Sequence, residues 1–296
     1  MMKKQFLTLG LAALFLVACN DDDAPSEANL NLSINGLEDL GSSAQYEGWL
    51  IVDGAPISTG VFTVTDGGNL SQSAFNVDAT NAANATKFVL TVEPIPDTDP
   101  APSAQKLLAG DIANGQAALS TGVAPALGAF ENASGKFFLR TPTDETDGNN
   151  GNDQFGVWFG NPGTPPTSGL DLPVLPEGWV YEGWVIGEAG PITTGRFTAF
   201  DEMDESNAFS GTENNAGPPI PGEDFFNNAP AGENFPLDLR GRTVVITVEP
   251  EPDNAAGPFL LKPLIANLPV DAATAPATHD LIVNQSGIPT GQVTIN

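Results

Sequence analysis

The stretch YEGWLIVDGAPISTGVFTV, residues 46–64, occurs twice in this chain in closely similar form. The second copy, YEGWVIGEAGPITTGRFTAF, occupies residues 181–200, at an offset of 135 residues (181 − 46). Each copy has an apolar run, a turn containing Gly and Pro, and a second run that begins Gly-x-Phe, which predicts a β-hairpin. Matched aromatic residues are predicted to fill the hairpin cores: Tyr46, Trp49 and Phe62 in the first copy, and Tyr181, Trp184 and Phe197 in the second.

A second block is also repeated, as KFVLTVEPIPD from residue 87 and RTVVITVEPEPD from residue 242. Both are β-branched runs that stop at a Glu-Pro pair, because proline has no N–H to donate to a strand ladder. Glu93 matches Glu249 at an offset of 156 residues (249 − 93), so the second copy holds 21 extra residues (156 − 135) between its blocks. The stretch 201–236, rich in Gly, Pro, Asn and acidic residues, is predicted to be a loop-like insertion.

A third hairpin is predicted from strands at 137–140 and 155–159, with a turn at Asn150-Gly151. Many short strands separated by Gly and Pro turns indicate an all-β protein with two tandem immunoglobulin-like β-sandwich domains. The repeat period is too long for a solenoid of stacked units. The predicted organisation is a lipoprotein signal peptide at 1–18, an acidic tether at 19–29, and β-sandwich domains at 30–165 and 166–296.

The N-terminus has the pattern of a secretory signal: two lysines precede an apolar run that is short for a membrane span. It ends in Leu16-Val17-Ala18-Cys19, which resembles the lipobox of bacterial lipoproteins, where the signal is removed before a cysteine that is then lipidated. Cys19 is the only cysteine, which excludes a disulfide within the chain. We therefore expect the chain to be attached to a membrane through lipid on Cys19.

The residues that follow the cysteine, NDDDAPSEANLN, are polar and acidic and predict a flexible tether. A cysteine followed closely by acidic residues also resembles the surface-export signal of Bacteroidetes lipoproteins. The expected location is the outer membrane, at the cell surface or on the periplasmic face. The formal net charge of −27 disfavours nucleic acid as a partner.

Catalytic patterns are weak, and we predict that the protein is not an enzyme. One histidine and one cysteine are too few for a zinc site, and no G-x-S-x-G motif identifies a nucleophilic serine. In each copy a carboxylate lies two residues from a strand tryptophan and another ends a strand, as Glu47 and Glu93 do. A carboxylate pair beside an aromatic ring is typical of glycoside hydrolysis. The alternative is that these carboxylates belong to strand edges and ends.

Two sequence features suggest ligands. The segment DETDGNNGND supplies closely spaced oxygen ligands for calcium, although its order does not match the EF-hand; a solvated hairpin tip is the alternative, and no other cofactor is expected. Trp179, Tyr181 and Trp184 could form a stacking platform for a glycan, or they could fill the core. The candidate calcium ligands are Asp144, Asp147, Asn149 and Asp153.

The order Tyr-x-x-Trp, a turn with Pro, Gly-x-Phe, and a strand ending Thr-Val-Glu-Pro before a Pro-rich stretch resembles the C-terminal extracytoplasmic domain of anti-sigma-K factors. The resemblance covers about residues 30–135 and 170–290. In that family a separate cytoplasmic domain, joined by a transmembrane helix and often carrying zinc-binding His and Cys, holds the sigma factor. These features are not found here, so sigma binding is not implied.

The sequence therefore predicts a non-catalytic, lipid-anchored extracytoplasmic protein with a binding or structural role. Its expected partners are the membrane, through Cys19, and a protein or glycan ligand. Two alternatives stay open: a periplasmic signalling component of an anti-sigma system, and a carbohydrate-binding or carbohydrate-active protein.

Overall fold

The computed structural model describes residues 26–145, 148–213, 217–252 and 255–296. These residues are almost entirely strands and loops, which confirms the predicted all-β class. The first seven strands are β1 Glu27–Asn35, β2 Ala44–Val52, β3 Ala55–Phe62, β4 Ala74–Asp78, β5 Ala85–Pro94, β6 Lys106–Asp111 and β7 Gln116–Leu119.

Twelve further strands follow: β8 Ser134–Leu139, β9 Gly156–Trp158, β10 Gly160–Asn161, β11 Thr167–Ser168, β12 Leu170–Asp171, β13 Trp179–Ile186, β14 Pro191–Phe197, β15 Gly222–Asp224, β16 Thr243–Pro250, β17 Leu264–Asn267, β18 His279–Val283 and β19 Thr290–Ile295. Short 3-10 helices lie at Pro142–Asp144, Asp153–Phe155 and Gln285–Gly287.

One α-helix, α1 (Ala79–Asn84), is present in the described residues, and the sequence pattern did not predict it. The carboxylate of Asp78 caps it by accepting the N–H of Asn81 at 2.8 Å. In the described part of the chain, no helix has the length and apolar character needed to span a membrane.

Two four-stranded antiparallel sheets form what we call the first unit, residues 27–119 with 290–295. One sheet has the order β4-β1-β19-β7 and the other β3-β2-β5-β6. The rings of Phe62 on β3 and Phe75 on β4 lie 6.2 Å apart, so the two sheets touch through their apolar faces. This is a β-sandwich, as predicted.

The second unit, residues 134–283, contains a longer sheet with the order β14-β13-β16-β17-β18-β8-β9-β15, and β12 pairs with β8. The predicted third hairpin is confirmed, because Phe138 on β8 pairs with Trp158 on β9. Strands β10 and β11 form a separate two-stranded ladder. Most buried apolar side chains of both units belong to one continuous cluster. Two small clusters lie apart from it, one around Trp49 and one around Trp158.

The strand pairing crosses the boundary predicted between residues 165 and 166. Strand β19, near residue 290, lies between β1 and β7 and pairs with both. Strands β8 and β9, before residue 165, pair within the second sheet. The tether predicted to end at residue 29 also overlaps β1, which begins at Glu27. Hairpin signals are local, whereas these exchanges join segments far apart in sequence.

The repeated hairpins have the same register in both copies. The β2–β3 and β13–β14 pairs each carry a bulge immediately before the tryptophan, at Gly48/Trp49 and Gly183/Trp184. Tyr46 stacks on Phe62 at 5.5 Å, and the second copy repeats the contact at 5.9 Å. All six aromatic side chains predicted for the hairpin cores are buried: Tyr46, Trp49, Phe62, Tyr181, Trp184 and Phe197.

Each core tyrosine also fixes the loop that precedes its strand. The hydroxyl of Tyr46 donates to the carbonyl of Glu38 at 2.9 Å, and that of Tyr181 donates to the carbonyl of Pro173 at 2.7 Å. Both bonds reach back eight residues. This contact resembles the tyrosine corner of immunoglobulin-like sandwiches.

Candidate functional site

A chain of buried hydrogen bonds links a tryptophan, a threonine and a glutamate in the first copy. The indole Nε1 of Trp49 donates to Thr91 Oγ1 at 2.9 Å. The threonine hydroxyl donates in turn to the carboxylate of Glu93, which also accepts the N–H of Ser103 at 3.0 Å. Thr91 and Glu93 are 0% and 1% exposed, so the polar groups are shielded from water and satisfy one another.

The second copy repeats this chain at every step. Trp184 Nε1 donates to Thr247 Oγ1 at 2.9 Å, and Thr247 donates to the carboxylate of Glu249. That carboxylate accepts the N–H of Phe259 at 2.9 Å, in the place that Ser103 takes in the first copy. We call this arrangement the Trp–Thr–Glu chain. Its role is to join the hairpin to the next strand and to the loop beyond it.

The other matched carboxylates are held in an equivalent way. Ser58 donates its hydroxyl to Glu47, and Thr193 donates to Glu182 at the matched position. Burial raises the pKa of Glu47, the hydrogen bond from Ser58 lowers it, and the nearby negative charge of Glu93 raises it further. The four carboxylates that suggested glycoside hydrolysis are therefore buried groups with donors from neighbouring strands and loops.

The insertion of the second copy contains a different group of carboxylates, of which Asp224 is buried and Asp204 half-buried. Asp224 accepts the N–H of Thr143 at 2.9 Å and the indole N–H of Trp158 at 3.0 Å. Asp204 accepts the N–H of Gly222 at 2.7 Å. Burial raises the pKa of both aspartates to about 7, against the opposing effect of these hydrogen bonds. Asp224 thus connects β15 to β9, and Asp204 connects the inserted loop to β15.

Glu223 lies next to Asp224 on β15 and is also buried. Its carboxylate accepts from the hydroxyl of Ser210 and from the N–H of Phe209 at 3.2 Å. Burial raises its pKa, while the hydrogen bond from Ser210 lowers it. Within the described residues, no group of three or more His, Cys, Asp or Glu side chains is placed to hold a metal ion.

The candidate calcium ligands that the structure describes, Asp144, Asn149 and Asp153, lie in the connection between β8 and β9. Asp144 Oδ2 accepts from the side-chain amide of Asn152 at 2.7 Å, and Asp153 Oδ2 accepts from that of Asn149 at 2.7 Å. Asp147 lies outside the described residues. The tip carboxylates therefore bond to side-chain amides of the same loop, and calcium binding there stays a prediction.

The four tryptophans are all inside the protein, with side chains 3% or 4% exposed: Trp49, Trp158, Trp179 and Trp184. Trp179 packs against Phe259 at a ring distance of 5.8 Å. A stacking platform needs an exposed ring face, which none of these indoles provides. The glycan interpretation therefore receives no support from the tryptophans that suggested it.

A cleft of about 360 Å³ lies between the two units. One side comes from the loop before β2 and the end of β5, including Leu40 and Pro94. The other side comes from the end of β16 and the following loop, including Pro250 and Phe259. The position at a junction of units, the volume and the mostly apolar walls are typical of small-molecule sites.

The junction is bridged by the side-chain amide of Gln105, which also lines the cleft. Its Nε2 donates to the carbonyl of Glu251 at 2.6 Å and to that of Gly178 at 3.3 Å. A Cβ added to Gly178 would lie 2.7 Å from Ala104 Cβ, so the two units approach closely here. Only the repeated Glu-Pro pairs and the Pro-rich segments after them gave a sequence signal for this site.

The lipobox residues Leu16, Val17 and Ala18 and the predicted lipidation site Cys19 lie outside the described residues. They stay predictions from the sequence. The first described residue is Ser26, immediately before β1.

Residues 22–106 match the family model described as "Anti-sigma-K factor rskA, C-terminal". The matched segment includes β1 to β5 and the first residue of β6, so an anti-sigma-factor-like domain covers the first repeated hairpin and its Trp–Thr–Glu chain. The resemblance expected for about residues 170–290 lies beyond the match and stays a prediction. Neither the curated proteins nor the solved structures contain a match to the chain.

Proposed function

We propose that this chain is a non-catalytic, lipid-anchored extracytoplasmic protein with a binding or structural role. The observation that carries the proposal is the paired arrangement of the carboxylates. Glu93 and Glu249 are buried, occupy matched positions, and accept from matched hydroxyl and backbone donors. A catalytic carboxylate has to reach a substrate, whereas these stabilise the junction between strands and loops.

The proposed anchor rests on the signal sequence and Cys19 and can be tested by metabolic labelling with palmitate. Cys19→Ser is expected to accumulate as unprocessed precursor without label. The matched control is Ser26→Ala, which lies after the cysteine and should be processed and labelled normally. Normal labelling of the Cys19→Ser protein would contradict the anchor.

The side of the outer membrane on which the protein lies distinguishes a role at the cell surface from a periplasmic role. Intact cells are treated with a protease that does not cross the outer membrane, and the protein is followed by immunoblotting. Digestion on intact cells would support surface display, in a binding or structural role outside the cell. Protection until the cells are lysed would place the protein on the periplasmic side.

A periplasmic signalling component of an anti-sigma system is the second candidate, and the family match over residues 22–106 favours it. It requires a periplasmic location and a transcriptional consequence. Deletion of the gene should then change the transcripts of one sigma regulon, and complementation by the intact chain should restore them. An unchanged transcriptome together with surface digestion would exclude this candidate.

A carbohydrate-active role is the remaining alternative, and it can be tested on the same carboxylates. If the chain hydrolyses glycans, Glu47→Gln or Glu93→Gln should abolish turnover without unfolding the protein. We expect no turnover in the unsubstituted protein on a panel of oligosaccharides. Measured turnover that depends on either glutamate would overturn the non-catalytic assignment.

A further inference from the structure

We infer that the cleft between the two units binds a small apolar ligand that carries a protonated amine. The inference names a site and a ligand class for the proposed binding role and rests on that role. It uses the cleft of about 360 Å³ and the residues around it.

The size and walls of the cleft suit a ligand with an apolar body. Pockets of about 300 Å³ or more commonly enclose a small organic molecule when their walls are mostly apolar. Leu40, Val92, Phe259 and Leu260 provide aliphatic and aromatic surface. Burial of an apolar group against them would favour binding in proportion to the apolar area removed from water.

The polar groups of the cleft are mostly hydrogen-bond acceptors. Pro94, Pro250 and Pro258 line it and have no backbone N–H to donate. The amide N–H groups of Gln105 bond to Glu251 and Gly178 across the junction. The acidic side chains of Glu38 and Asp39 therefore offer acceptors, and Ser43 is the one hydroxyl donor among the lining side chains that the structure describes. An ammonium group suits such a site because it has three donors and no acceptor.

The charge of the cleft also favours an ammonium group. Its lining includes the exposed acidic residues Glu38 and Asp39, and none of the lining residues that the structure describes is basic. Glu93 also lines the cleft, but its carboxylate is buried and already accepts from Thr91 and Ser103. Lys262 lies nearby, with its Nζ 3.6 Å from the carboxylate of Glu38. It offsets the charge of Glu38, which leaves Asp39 as the exposed acidic group of the lining without a basic neighbour among the described lining residues. A cation is thus attracted and an anion repelled, within a chain whose net charge is already −27.

The loop that carries these acidic groups is held in place before any ligand arrives. Tyr46 bonds to the carbonyl of Glu38, and the side chain of Asp39 accepts the N–H of Gly41 at 2.8 Å. Gln105 joins the first unit to the opposite side of the cleft through its bond to the carbonyl of Glu251. A preformed site loses little conformational entropy on binding, which favours affinity for a small ligand.

Tryptamine, tryptophol and indole-3-propionate form a suitable probe series, because they share an indole body and differ in the terminal group. The mature lipoprotein is placed in nanodiscs, and binding is measured by isothermal titration calorimetry with empty nanodiscs subtracted. Tryptamine is expected to bind more tightly than tryptophol, and indole-3-propionate more weakly than both. Equal binding of all three, or no binding of any, would overturn the inference.

Asp39→Asn tests the charge of the site. It is expected to weaken tryptamine about two- to five-fold, as for a partly screened charge pair, and to leave tryptophol unchanged. Glu27→Gln is the matched control, because it removes one charge from an exposed residue of β1 that does not line the cleft. An equal effect of the two substitutions would refute a specific contact.

Ala44→Leu tests the location, since Ala44 lines the cleft and the larger side chain would fill it. Weaker binding of tryptamine and tryptophol, with an unchanged melting temperature, is expected. Unchanged binding would place the probe elsewhere and refute the site. Palmitate labelling and protease accessibility do not depend on the cleft, so a negative result here would leave the proposed anchoring in place.

Discussion

The two hairpin copies share a buried polar chain but are covered by different parts of the sequence. A Cβ added to Gly48 would lie 2.9 Å from the ring of Phe88 on β5. A Cβ added to Gly183 would lie 2.6 Å from the ring of Phe159, which follows β9. A phenylalanine ring therefore covers the bulge in both copies. It comes from β5, after the hairpin, in the first copy and from Phe159, before the hairpin, in the second. The hairpin and its hydrogen bonds are the same in both copies, whereas the residues that cover the hairpin differ.

The largest losses of stability should come from substitutions in the hairpin that both copies share. Trp49→Ala and Trp184→Ala each remove a buried indole and are expected to destabilise the protein by about 3 to 5 kcal/mol. Chemical denaturation gives the total loss. Hydrogen exchange should show that Trp49→Ala affects β5 amides more, and Trp184→Ala β16 amides more.

Trp49→Phe and Trp184→Phe are the controls, because they keep an aromatic ring and lose the bond to threonine. Each should cost about 1 to 2 kcal/mol, with matched values in the two copies. Unequal costs would mean that the two Trp–Thr–Glu chains differ in strength despite their common geometry.

A comparable loss, confined to the first unit, is expected from Val293→Asp. Val293 on β19 is 0% exposed, and an unpaired buried carboxylate should cost about 3 kcal/mol or more. Amides of β1 and β7 should lose protection while those of β13 and β16 keep it. Gln292→Asp, at an exposed position of the same strand, is the control and should leave both units intact.

The pH dependence of stability should distinguish the second copy, whose insertion carries the buried Asp224 and the half-buried Asp204. The pKa of Asp224 is raised from 3.8 to about 7, so the folded state holds a proton that the unfolded state has lost. Its stabilising effect is present below pH 3.8 and is lost as the pH rises to about 7. The free energy of unfolding should fall by about 1 to 3 kcal/mol over this pH range.

This dependence can be measured from denaturation midpoints between pH 5 and pH 8. Asp224→Asn should reduce the slope, and part of it should persist because burial also raises the pKa of Asp204 and Glu223. Asp171→Asn, at an exposed position of β12, should leave the slope unchanged. A slope that does not respond to Asp224→Asn would assign the pH effect to other groups.

The smallest effect is expected at the tyrosine hydroxyls. Tyr46→Phe and Tyr181→Phe each remove one bond to a loop carbonyl while leaving the ring in place. Each should cost about 1 kcal/mol. Equal costs would extend the equivalence of the copies to the loops before β2 and β13, and a cost in one copy alone would limit it to the strands.

The sequence predicted the elements whose signals are local. Hairpins depend on a turn and two adjacent runs, so the repeated YEGW block placed β2, β3, β13 and β14 correctly. The helix α1 escaped prediction because ATNAAN is six residues long and has no apolar period. The capping aspartate before it was the one available signal.

The arrangement of strands β8 and β19 could not be predicted in the same way. Leu30 pairs with Ile295, and nothing in either local segment specifies a partner so distant. The cleft was missed for a related reason. It lies where the two units meet, so its residues come together only once both sheets are formed. The alternative for the candidate carboxylates placed Glu47 at a sheet edge and Glu93 at a strand end. Glu93 does lie near the end of β5, whereas Glu47 is buried on β2, between β3 and β5. The hydroxyl groups that bond to them could be identified only in the structure.

The position of β19 also sets an order of events for a chain that emerges N-terminus first. Strand β7 ends at Leu119 and β19 begins at Thr290, so the whole second unit must emerge before the first can complete its sheet. At typical rates of synthesis the intervening residues take roughly 10 to 30 seconds. During that time β1 and β7 have open edges that can pair with other chains. The first unit therefore completes its sheet last although most of its strands are synthesised first. Its strand edges stay open until β19 has been synthesised.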